Sequence, residues 1–221
     1  LRWQGYNHTK EMRFEQQSLS YGKVGEYWRR LGISGIGAFP ILCSWDDGNH
    51  WFLGDVADGK KKALWNDMTV IWAEKTVSMD IWDRDFVPSE KVIVPIHCIN
   101  DGQDSTIIQY RIQVRDMAGN ALFSKDSATI VAPSSKNIVE EELEMPSSTG
   151  DYELYTVLLN PDKTVKYPVE SKWKVRVYKA HVPDSLKRTV VWIPECEKEL
   201  KAMAERMCLK RTDSYENADL I

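Results

Sequence analysis

Seven short stretches with alternating apolar and polar residues, each followed by a turn signal, occupy the middle of this chain. They read TVSMDIW, KVIVPIHCIN, STIIQYRIQVRD, SATIVA, NIVEEELEM, YELYTVLLN and SKWKVRVYK. The breaks between them carry the Asp-Gly, Gly-Asn and Pro signals of turns. Within YRIQVRD, Tyr110, Ile112 and Val114 share one face of a strand. Strands at this spacing predict an immunoglobulin-like β-sandwich over residues 67–180.

The residues before this region follow a helical pattern and then a continuous apolar run. A helix is predicted from Thr9 to Leu31, with Asn7 or Thr9 as its N-cap and Gly32 just beyond its end. Its buried face is predicted to comprise Phe14, Gln17, Tyr21, Gly25 and Trp28. The run SGIGAFPILC that follows is typical of a parallel strand covered on both faces. A helix followed by a buried strand is half of a βαβ repeat.

Residues 181–221 return to an α/β pattern. RTVVWIP predicts a strand, ECEKELKAMAERMC a helix and ENADLI the start of a second strand. We therefore expect the beginning of a flavodoxin-like or Rossmann-like unit that is incomplete in this chain. Because the chain opens without Met and closes inside a strand-like run, we expect it to be a piece of a longer protein.

This order of elements, with the residues GKVGEYWRRLGISGIGAFPILCSWDD, resembles the C-terminal portion of glycoside hydrolase family 2 proteins. That group includes β-galactosidases, β-glucuronidases and β-mannosidases. In the family, a helix ending in Tyr-Trp, here residues 27–28, precedes the eighth barrel strand. The strand ends in a Trp-Asp element, here 45–47, and a Gly-Asp loop, here 54–55, leads towards a β-sandwich.

The resemblance implies a multidomain, mainly β architecture. Residues 1–66 would be the last helix and strand of a (β/α)8 barrel, 67–180 the immunoglobulin-like sandwich and 181–221 the incomplete α/β segment. The parent protein would hydrolyse O-glycosyl bonds with retention, using two glutamates whose carboxyl groups lie about 5–5.5 Å apart.

The resemblance leaves this chain without catalytic residues. The nucleophile is expected just upstream of Leu1, and the acid/base on a barrel strand that the chain lacks. Glu11 and Glu15 fall inside the predicted helix, where we expect solvated carboxylates. We therefore expect the isolated chain to be inactive, although its parent is a glycoside hydrolase.

Candidate substrate-binding residues follow the predicted barrel strand, because ligands bind at the C-terminal ends of such strands. Trp45 and Trp51 would form a platform for the apolar face of a pyranose ring, or would pack between barrel and sandwich. Asp46 and Asp47 would contact sugar hydroxyls, or would cap the loop. The loop that carries Trp3 is expected to face the same end.

Several other patterns favour structural roles. Trp65, Trp72 and Trp82 are expected to join the barrel tail to the sandwich. The segment WDRDF at residues 82–86 predicts a strand-end turn with a local Arg–Asp pair, or a binding element. The acidic run at residues 140–144 predicts a solvated edge strand.

Composition limits the partners. The formal net charge of −4 gives no support to a nucleic-acid or anionic-membrane partner. No apolar stretch approaches the roughly 20 residues of a membrane helix, and no signal peptide is visible. The four cysteines form no CxxC pair, and Cys43 and Cys98 lie in apolar runs typical of buried free thiols. We expect no metal and no cofactor.

The expected partners are a carbohydrate substrate, reached through the parent protein, and the parent's remaining domains. The compartment stays open; a signal peptide on the parent would direct it to the periplasm or out of the cell. The alternative to a hydrolase fragment is a non-catalytic immunoglobulin-like module that binds carbohydrate or protein, or that spaces other domains.

Overall fold

Helices at the start and a run of antiparallel strands make up most of the computed structural model, which describes residues 9–33, 51–53, 56–179, 189–190, 210–212 and 216. The helices are α1 (Lys10–Leu31) and α2 (Ala63–Ile71), with a 3-10 turn at Val56–Asp58. The strands are β1 (Lys75–Met79), β2 (Asp85–Phe86), β3 (Lys91–Asn100), β4 (Thr106–Asp116), β5 (Ala121–Val131), β6 (Ser135–Glu144), β7 (Gly150–Leu158), β8 (Glu170–Val177), β9 (Thr189–Val190) and β10 (Lys210–Arg211). The predicted barrel strand SGIGAFPILC lies outside the described residues.

The chain divides into two compact units, Leu1–Tyr178 and Lys179–Ile221. The first unit contains both helices and strands β1 to β8, so that α1 and the sandwich belong to the same body. The domain boundary at residues 66 and 67 stays a prediction.

Strands β1 to β8 form a sandwich of two sheets. One sheet has the order β1-β3-β6 and the other the order β2-β8-β7-β4-β5. All neighbouring pairs are antiparallel except β2 and β8, which are parallel. Consecutive strands change sheet repeatedly, as in immunoglobulin-like sandwiches. The fold is therefore mainly β, and the predicted sandwich is confirmed.

The core between the sheets consists of the inward-facing residues of these strands. Its members include Val77, Met79, Val94, Ile96, Ile108, Ile112, Val114, Leu143, Leu154, Val175 and Val177. Tyr110, Ile112 and Val114 are all buried, as the alternation in YRIQVRD predicts. The strand β5 begins earlier than SATIVA suggests because it is an edge strand whose residues are mostly exposed, so apolar alternation is weak there. The short strand β2 has no sequence signal of its own.

Helix α1 begins and ends where the sequence predicts. The Thr9 hydroxyl accepts a hydrogen bond from the Met12 amide at 3.2 Å, which caps the first turn. Gly32 adopts the left-handed conformation at φ 77°, and its amide donates to the carbonyls of Trp28 and Arg29. No described helix is long and apolar enough to cross a membrane.

The prediction of which face of α1 is buried is wrong in part. Tyr21 is exposed, and Trp28 is half-buried rather than in the core. The buried residues of the helix are Ser18, Gly25, Glu26, Arg29 and Arg30. The physical reason is that α1 packs on the rest of the unit through charged side chains that find partners there.

The tryptophans near the start of the sandwich have different environments. Trp65 and Trp72 are partly buried beside a small apolar cluster of Trp51, Phe52, Leu64 and Met68. Trp82, by contrast, is 70 % exposed. The expectation that these three tryptophans join the barrel tail to the sandwich stays a prediction.

In the second unit, β9 and β10 form a parallel pair. The strand β9 lies within the predicted RTVVWIP, whereas its partner β10 precedes the expected ENADLI. The predicted helix between them lies outside the described residues. Two two-residue strands do not confirm a Rossmann-like or flavodoxin-like unit.

Candidate functional site

Of the residues predicted to bind substrate, the structure describes Trp51. Its ring packs edge-to-face against that of Trp65, with 6.1 Å between the ring centroids, and Trp51 is 8 % exposed. Trp51 therefore packs inside the first unit, and its role in substrate binding stays a prediction. Trp3, Trp45, Asp46 and Asp47 lie outside the described residues.

A buried carboxylate, Glu26 of α1, joins the helix to both sheets. Its Oε2 atom accepts hydrogen bonds from the hydroxyls of Ser78 at 3.0 Å and Ser171 at 2.5 Å. Ser78 lies on β1 and Ser171 on β8, so the two donors come from different sheets. Lys23 Nζ donates to Glu26 Oε1 at 2.9 Å. Each carboxylate oxygen therefore has a donor, as a buried charge requires.

Arg30 extends the same cluster along β1. Its Nη1 donates to Ser78 Oγ at 2.8 Å and to the Met79 carbonyl at 3.0 Å. Its Nε lies 3.3 Å from Asp80 Oδ1. Because Ser78 accepts from Arg30 and donates to Glu26, one hydroxyl connects two buried charges of opposite sign.

Arg29 makes a separate buried contact. It forms an ion pair with Asp101 and donates from Nη2 to the Ala73 carbonyl at 3.2 Å. Its guanidinium lies 5.2 Å from the centroid of the Trp72 ring. Removing a charge of this kind from water is costly, and these contacts offset that cost. We refer to Glu26, Arg29 and Arg30, with their partners, as the helix-docking cluster.

His97 of β3 lies beside this cluster. Its Nε2 is 3.7 Å from Asp80 Oδ2, and the residue is buried. Burial is the main cause that lowers the pKa of His97; the Asp80 carboxylate acts against it, and the nearby positive charges of Arg30 and Lys136 act with it. The ring is therefore neutral at neutral pH.

A second buried carboxylate, Glu141 of β6, connects the two sheets at the β5–β6 side. Tyr110 Oη donates to its Oε1 at 2.6 Å, and Lys125 Nζ to its Oε2 at 2.6 Å. Burial alone would raise the pKa of Glu141, but hydrogen bonds from Lys125, Ser127 and Tyr110 outweigh it, so that the pKa is lowered. Glu141 is thus a stable carboxylate inside the sandwich.

The groups around Glu141 are held in unreactive forms. Burial, with a contribution from Glu141, raises the pKa of the Cys98 thiol to about 12. Burial and the hydrogen bond to Glu141 raise the pKa of Tyr110 well above its usual range. Cys98 is a buried free thiol, as the sequence predicts. This arrangement suits structure rather than nucleophilic catalysis, which needs a thiolate.

Glu141 also corrects the prediction of a fully solvated acidic run. Glu140, Glu142 and Glu144 are exposed on the edge strand β6, whereas Glu141 is buried. The sequence NIVEEELEM could have predicted this burial. Residues two apart in a strand face the same side of the sheet, so Glu141 faces the same side as the buried Leu143.

An aromatic surface lies on the outside of α1 and the segment after β1. The rings of Trp82 and Tyr27 meet edge-to-face, with 6.0 Å between centroids and 81° between planes. Trp82 is 70 % exposed and Tyr27 is 40 % exposed. We call these two residues the Trp82–Tyr27 surface. The three residues after Trp82 are charged and exposed: Asp83, Arg84 and Asp85.

The exposed Arg84 contacts the ring of a buried tryptophan. Its guanidinium lies 4.6 Å from the centroid of the Trp173 ring, and Lys23 Nζ lies 4.1 Å from the same centroid. The segment WDRDF is therefore more than the predicted strand-end turn, since Asp85 and Phe86 form β2 and Arg84 stacks on a core tryptophan.

Sequence reasoning missed the helix-docking cluster. Charged residues in a helix usually form its solvated face, and the two serines that bind Glu26 lie 52 and 145 residues away in sequence. No local signal could identify them. Among the described residues, no group of three His, Cys, Asp or Glu is arranged to hold a metal ion.

No protein-family model matches the chain, and no curated protein matches it in sequence. Among solved structures, it is similar to the CARDB domain of the PF1109 protein from Pyrococcus furiosus, in complex with di-metal ions. The similarity covers 47% of this chain and 87% of that chain, with 13% identity and a TM-score of 0.39.

Two enzymes are among the other similar structures. A β-glucosidase from Listeria innocua, in complex with glucose, matches 48% of this chain at 10% identity and a TM-score of 0.35, over 16% of its own length. The alkylpurine DNA glycosylase AlkC from Pseudomonas fluorescens matches 52% of this chain at 8% identity and a TM-score of 0.34, over 33% of its own length. The chain thus spans a third or less of either enzyme. At these TM-scores the likenesses identify neither a family nor an activity for this chain.

Proposed function

We propose that this chain is the non-catalytic C-terminal part of a retaining glycoside hydrolase related to family 2, in which the β-sandwich holds the last helix of the catalytic barrel in place. The order of sequence motifs supports the family, and a sandwich follows the helix as that order requires. The observation that carries the proposal is the hydrogen bonding of Glu26 to both sheets.

The helix-docking cluster supports a holding role. Glu26, Arg29 and Arg30 are buried against partners that come from the sandwich and the segment before it. Without those partners Glu26 would keep only Lys23 of its own helix, and Arg29 and Arg30 would lose the contacts described above. Breaking a buried ion pair in this way costs several kcal/mol, on the order of 3–5. A helix held in this way keeps a fixed position relative to the sandwich.

The carboxylates of α1 do not supply the missing catalytic pair. Glu11 and Glu15 are exposed. A hydrogen bond to a backbone amide in the first helical turn is the main cause that lowers the pKa of Glu11. A glycosidase acid needs the opposite, a dry site that raises the pKa so that a proton is available at neutral pH. Glu11 therefore does not fit the role of the catalytic acid, and we infer from the family resemblance that both catalytic glutamates lie outside this chain.

Turnover measurements test this proposal. The chain should release no 4-nitrophenol from 4-nitrophenyl β-galactoside, β-glucuronide or β-mannoside above the rate of a heat-denatured sample. Glu11→Gln and Glu15→Gln serve as variants. Turnover that either substitution abolishes would contradict the placement of the nucleophile outside the chain, and with it the proposed non-catalytic role.

A further inference from the structure

His97 lies on the outer face of the three-stranded sheet. Its neighbours on β3, Ile96 and Cys98, belong to the core between the two sheets, and successive side chains of a strand point to opposite faces. The residue opposite His97 on β1 is Ser78, which accepts a hydrogen bond from Arg30 of α1. His97 therefore faces the end of α1 and not the core of the sandwich.

Charged side chains hold the end of α1 around this histidine. Arg30 Nε lies 3.3 Å from one oxygen of Asp80, and the other oxygen of Asp80 lies 3.7 Å from His97 Nε2. From β6, the Lys136 ammonium donates a hydrogen bond to the Arg30 carbonyl in the last turn of the helix. We call Arg30, Asp80, His97 and Lys136 the α1 latch.

The charge balance of the α1 latch does not accommodate a second proton on the imidazole. With a neutral ring the latch contains two cations and one carboxylate, and the Asp80 carboxylate already pairs with Arg30. The nearest further carboxylate, Glu26, lies 3.9 Å from Arg30 Nη1 and also pairs with Lys23. A protonated ring would be a third cation beside that single carboxylate, and repulsion between like charges is stronger in a buried site than in water.

The other ring nitrogen of His97 adds to this effect. Its Nδ1 atom is buried and has no hydrogen-bond partner among the residues that the structure describes. In the neutral ring this nitrogen can be the one without a proton, whereas both nitrogens of an imidazolium are donors. Protonation would therefore create a buried N–H without an acceptor, which is unfavourable. Movement of the helix end away from the sheet would give water access to both nitrogens.

We propose that the α1 latch is a pH-sensitive device, in which protonation of His97 in mild acid releases the last turn of α1, residues 28–31, from the outer face of the β1-β3-β6 sheet while the sandwich stays folded. The sandwich keeps its structure because its core lies on the opposite face of β3. This inference does not depend on the proposed role in a glycoside hydrolase.

The direction of the pKa shift agrees with this geometry. Burial, together with the positive charges of Arg30 and Lys136, lowers the pKa of His97, although Asp80 acts in the opposite direction. The proton therefore binds more readily once the helix end has moved away. Release should become more favourable by up to about tenfold per pH unit below about pH 6.5, until the pKa of the docked form is reached.

Amide hydrogen exchange of the full chain at about pH 7.5 and about pH 5, corrected for the intrinsic exchange rates, tests the proposal. In the wild type, the protection factors of residues 28–31 should fall at least about fivefold between the two pH values. The amides of β4 should stay at least about tenfold better protected than residues 28–31 at both, because the opening is local.

Two histidine variants provide the comparison. In His97→Gln the protection of residues 28–31 should change by less than about twofold between the two pH values, because glutamine does not bind a proton in this range. His181→Gln is the matched control, since residue 181 belongs to the second unit, and it should lose protection as the wild type does.

An NMR titration of the histidine rings in the wild type does not depend on how a variant folds. The His97 signals, assigned by their loss in His97→Gln, should report protonation over the same pH range in which residues 28–31 lose protection. Protonation of His97 while residues 28–31 stay protected would overturn the proposal. So would an equal loss of protection in His97→Gln and the wild type, or protection of β4 no higher than that of residues 28–31, which would mean global unfolding.

Discussion

Glu26 and Ser171 are 145 residues apart in sequence, and the hydroxyl of Ser171 on β8 donates a hydrogen bond to the Glu26 carboxylate on α1. The same oxygen accepts from Ser78 on the other sheet. One side chain of the helix therefore bridges the two sheets of the sandwich. The consequence is that α1 is an integral part of the folded unit and not a separate extension of it.

The pH dependence of stability should reveal the second bridging carboxylate, Glu141. Its pKa is lower in the folded state than in the unfolded chain, so its contribution to the free energy of unfolding is complete above the unfolded pKa of about 4.3 and is lost as the pH falls through the lower folded value. The difference in stability between wild type and Glu141→Gln should therefore shrink as the pH falls from about 5 to about 3. Urea denaturation at a series of pH values measures it.

The neighbouring Glu142 provides the control for this experiment. It is exposed on the same strand, where it pairs with the exposed Lys91 at 3.2 Å. Glu142→Gln should change the free energy of unfolding by less than about 0.5 kcal/mol at neutral pH. Equal pH profiles for Glu141→Gln and Glu142→Gln would show that Glu141 is not the ionised, hydrogen-bonded group described above.

His97 should make the fold less stable in mild acid. Because burial lowers its pKa in the folded state, the unfolded chain binds a proton more readily, and the free energy of unfolding falls as the pH decreases below about 6.5. The loss continues until the pH reaches the lowered folded pKa. His97→Gln should remove this part of the pH dependence between about pH 7 and pH 5. Thermal unfolding of the two proteins across that range measures it, and parallel curves would refute the assignment.

Two glycines of α1 should respond oppositely to alanine. A Cβ atom on Gly22 would meet Asp67 Cβ at 3.9 Å, whereas one on Gly25 would lie 3.1 Å from Ile71 Cγ2. Gly22→Ala should raise the free energy of unfolding by about 0.5–1 kcal/mol through helix propensity. Gly25→Ala should lower it by about 1 kcal/mol, because crowding against α2 exceeds that gain. Chemical denaturation compares them, and equal effects would contradict the close packing of α1 on α2.

Cys98 should resist alkylation in the folded protein. With a pKa of about 12, its thiolate population at pH 8 is on the order of a thousandfold below that of an unperturbed thiol. Iodoacetamide labelling followed by peptide mapping should show Cys98 modified in urea and protected without it. Rapid labelling of Cys98 under native conditions would mean that the β3–β6 region opens readily.

The sandwich is the part of this fold that the sequence predicts well. Alternation in stretches such as YRIQVRD reports which side chains face the core, and the end of α1 follows from Gly32, whose left-handed conformation favours glycine. The alternation of inward and outward residues along β6 also predicts that Glu141 faces inward. These features depend on neighbours in sequence, so a local pattern is enough.

The docking of α1 and the aromatic surface could not be predicted in the same way. Whether Arg30 is solvated or buried depends on Ser78 and Asp80, which are far from it in sequence. The exposure of Trp82 likewise depends on where Tyr27 and the helix come to lie. The burial of Arg30 and the exposure of Trp82 both depend on contacts between segments that are distant in sequence. Local patterns in a single sequence do not predict such contacts.

Hydrogen exchange of α1 in wild type and Glu26→Ala is the most direct test of the claim that the helix belongs to the sandwich unit through Glu26. In the wild type, amides of residues 18–30 should be protected nearly as strongly as those of β1 and β8. Glu26→Ala should speed exchange in α1 by about a hundredfold, from loss of about 3 kcal/mol, with Glu15→Ala as the exposed control that changes little. Two results would contradict the claim that Glu26 holds α1 in the unit. One is rapid exchange of the α1 amides in the wild type; the other is protection of these amides in Glu26→Ala equal to that in the wild type.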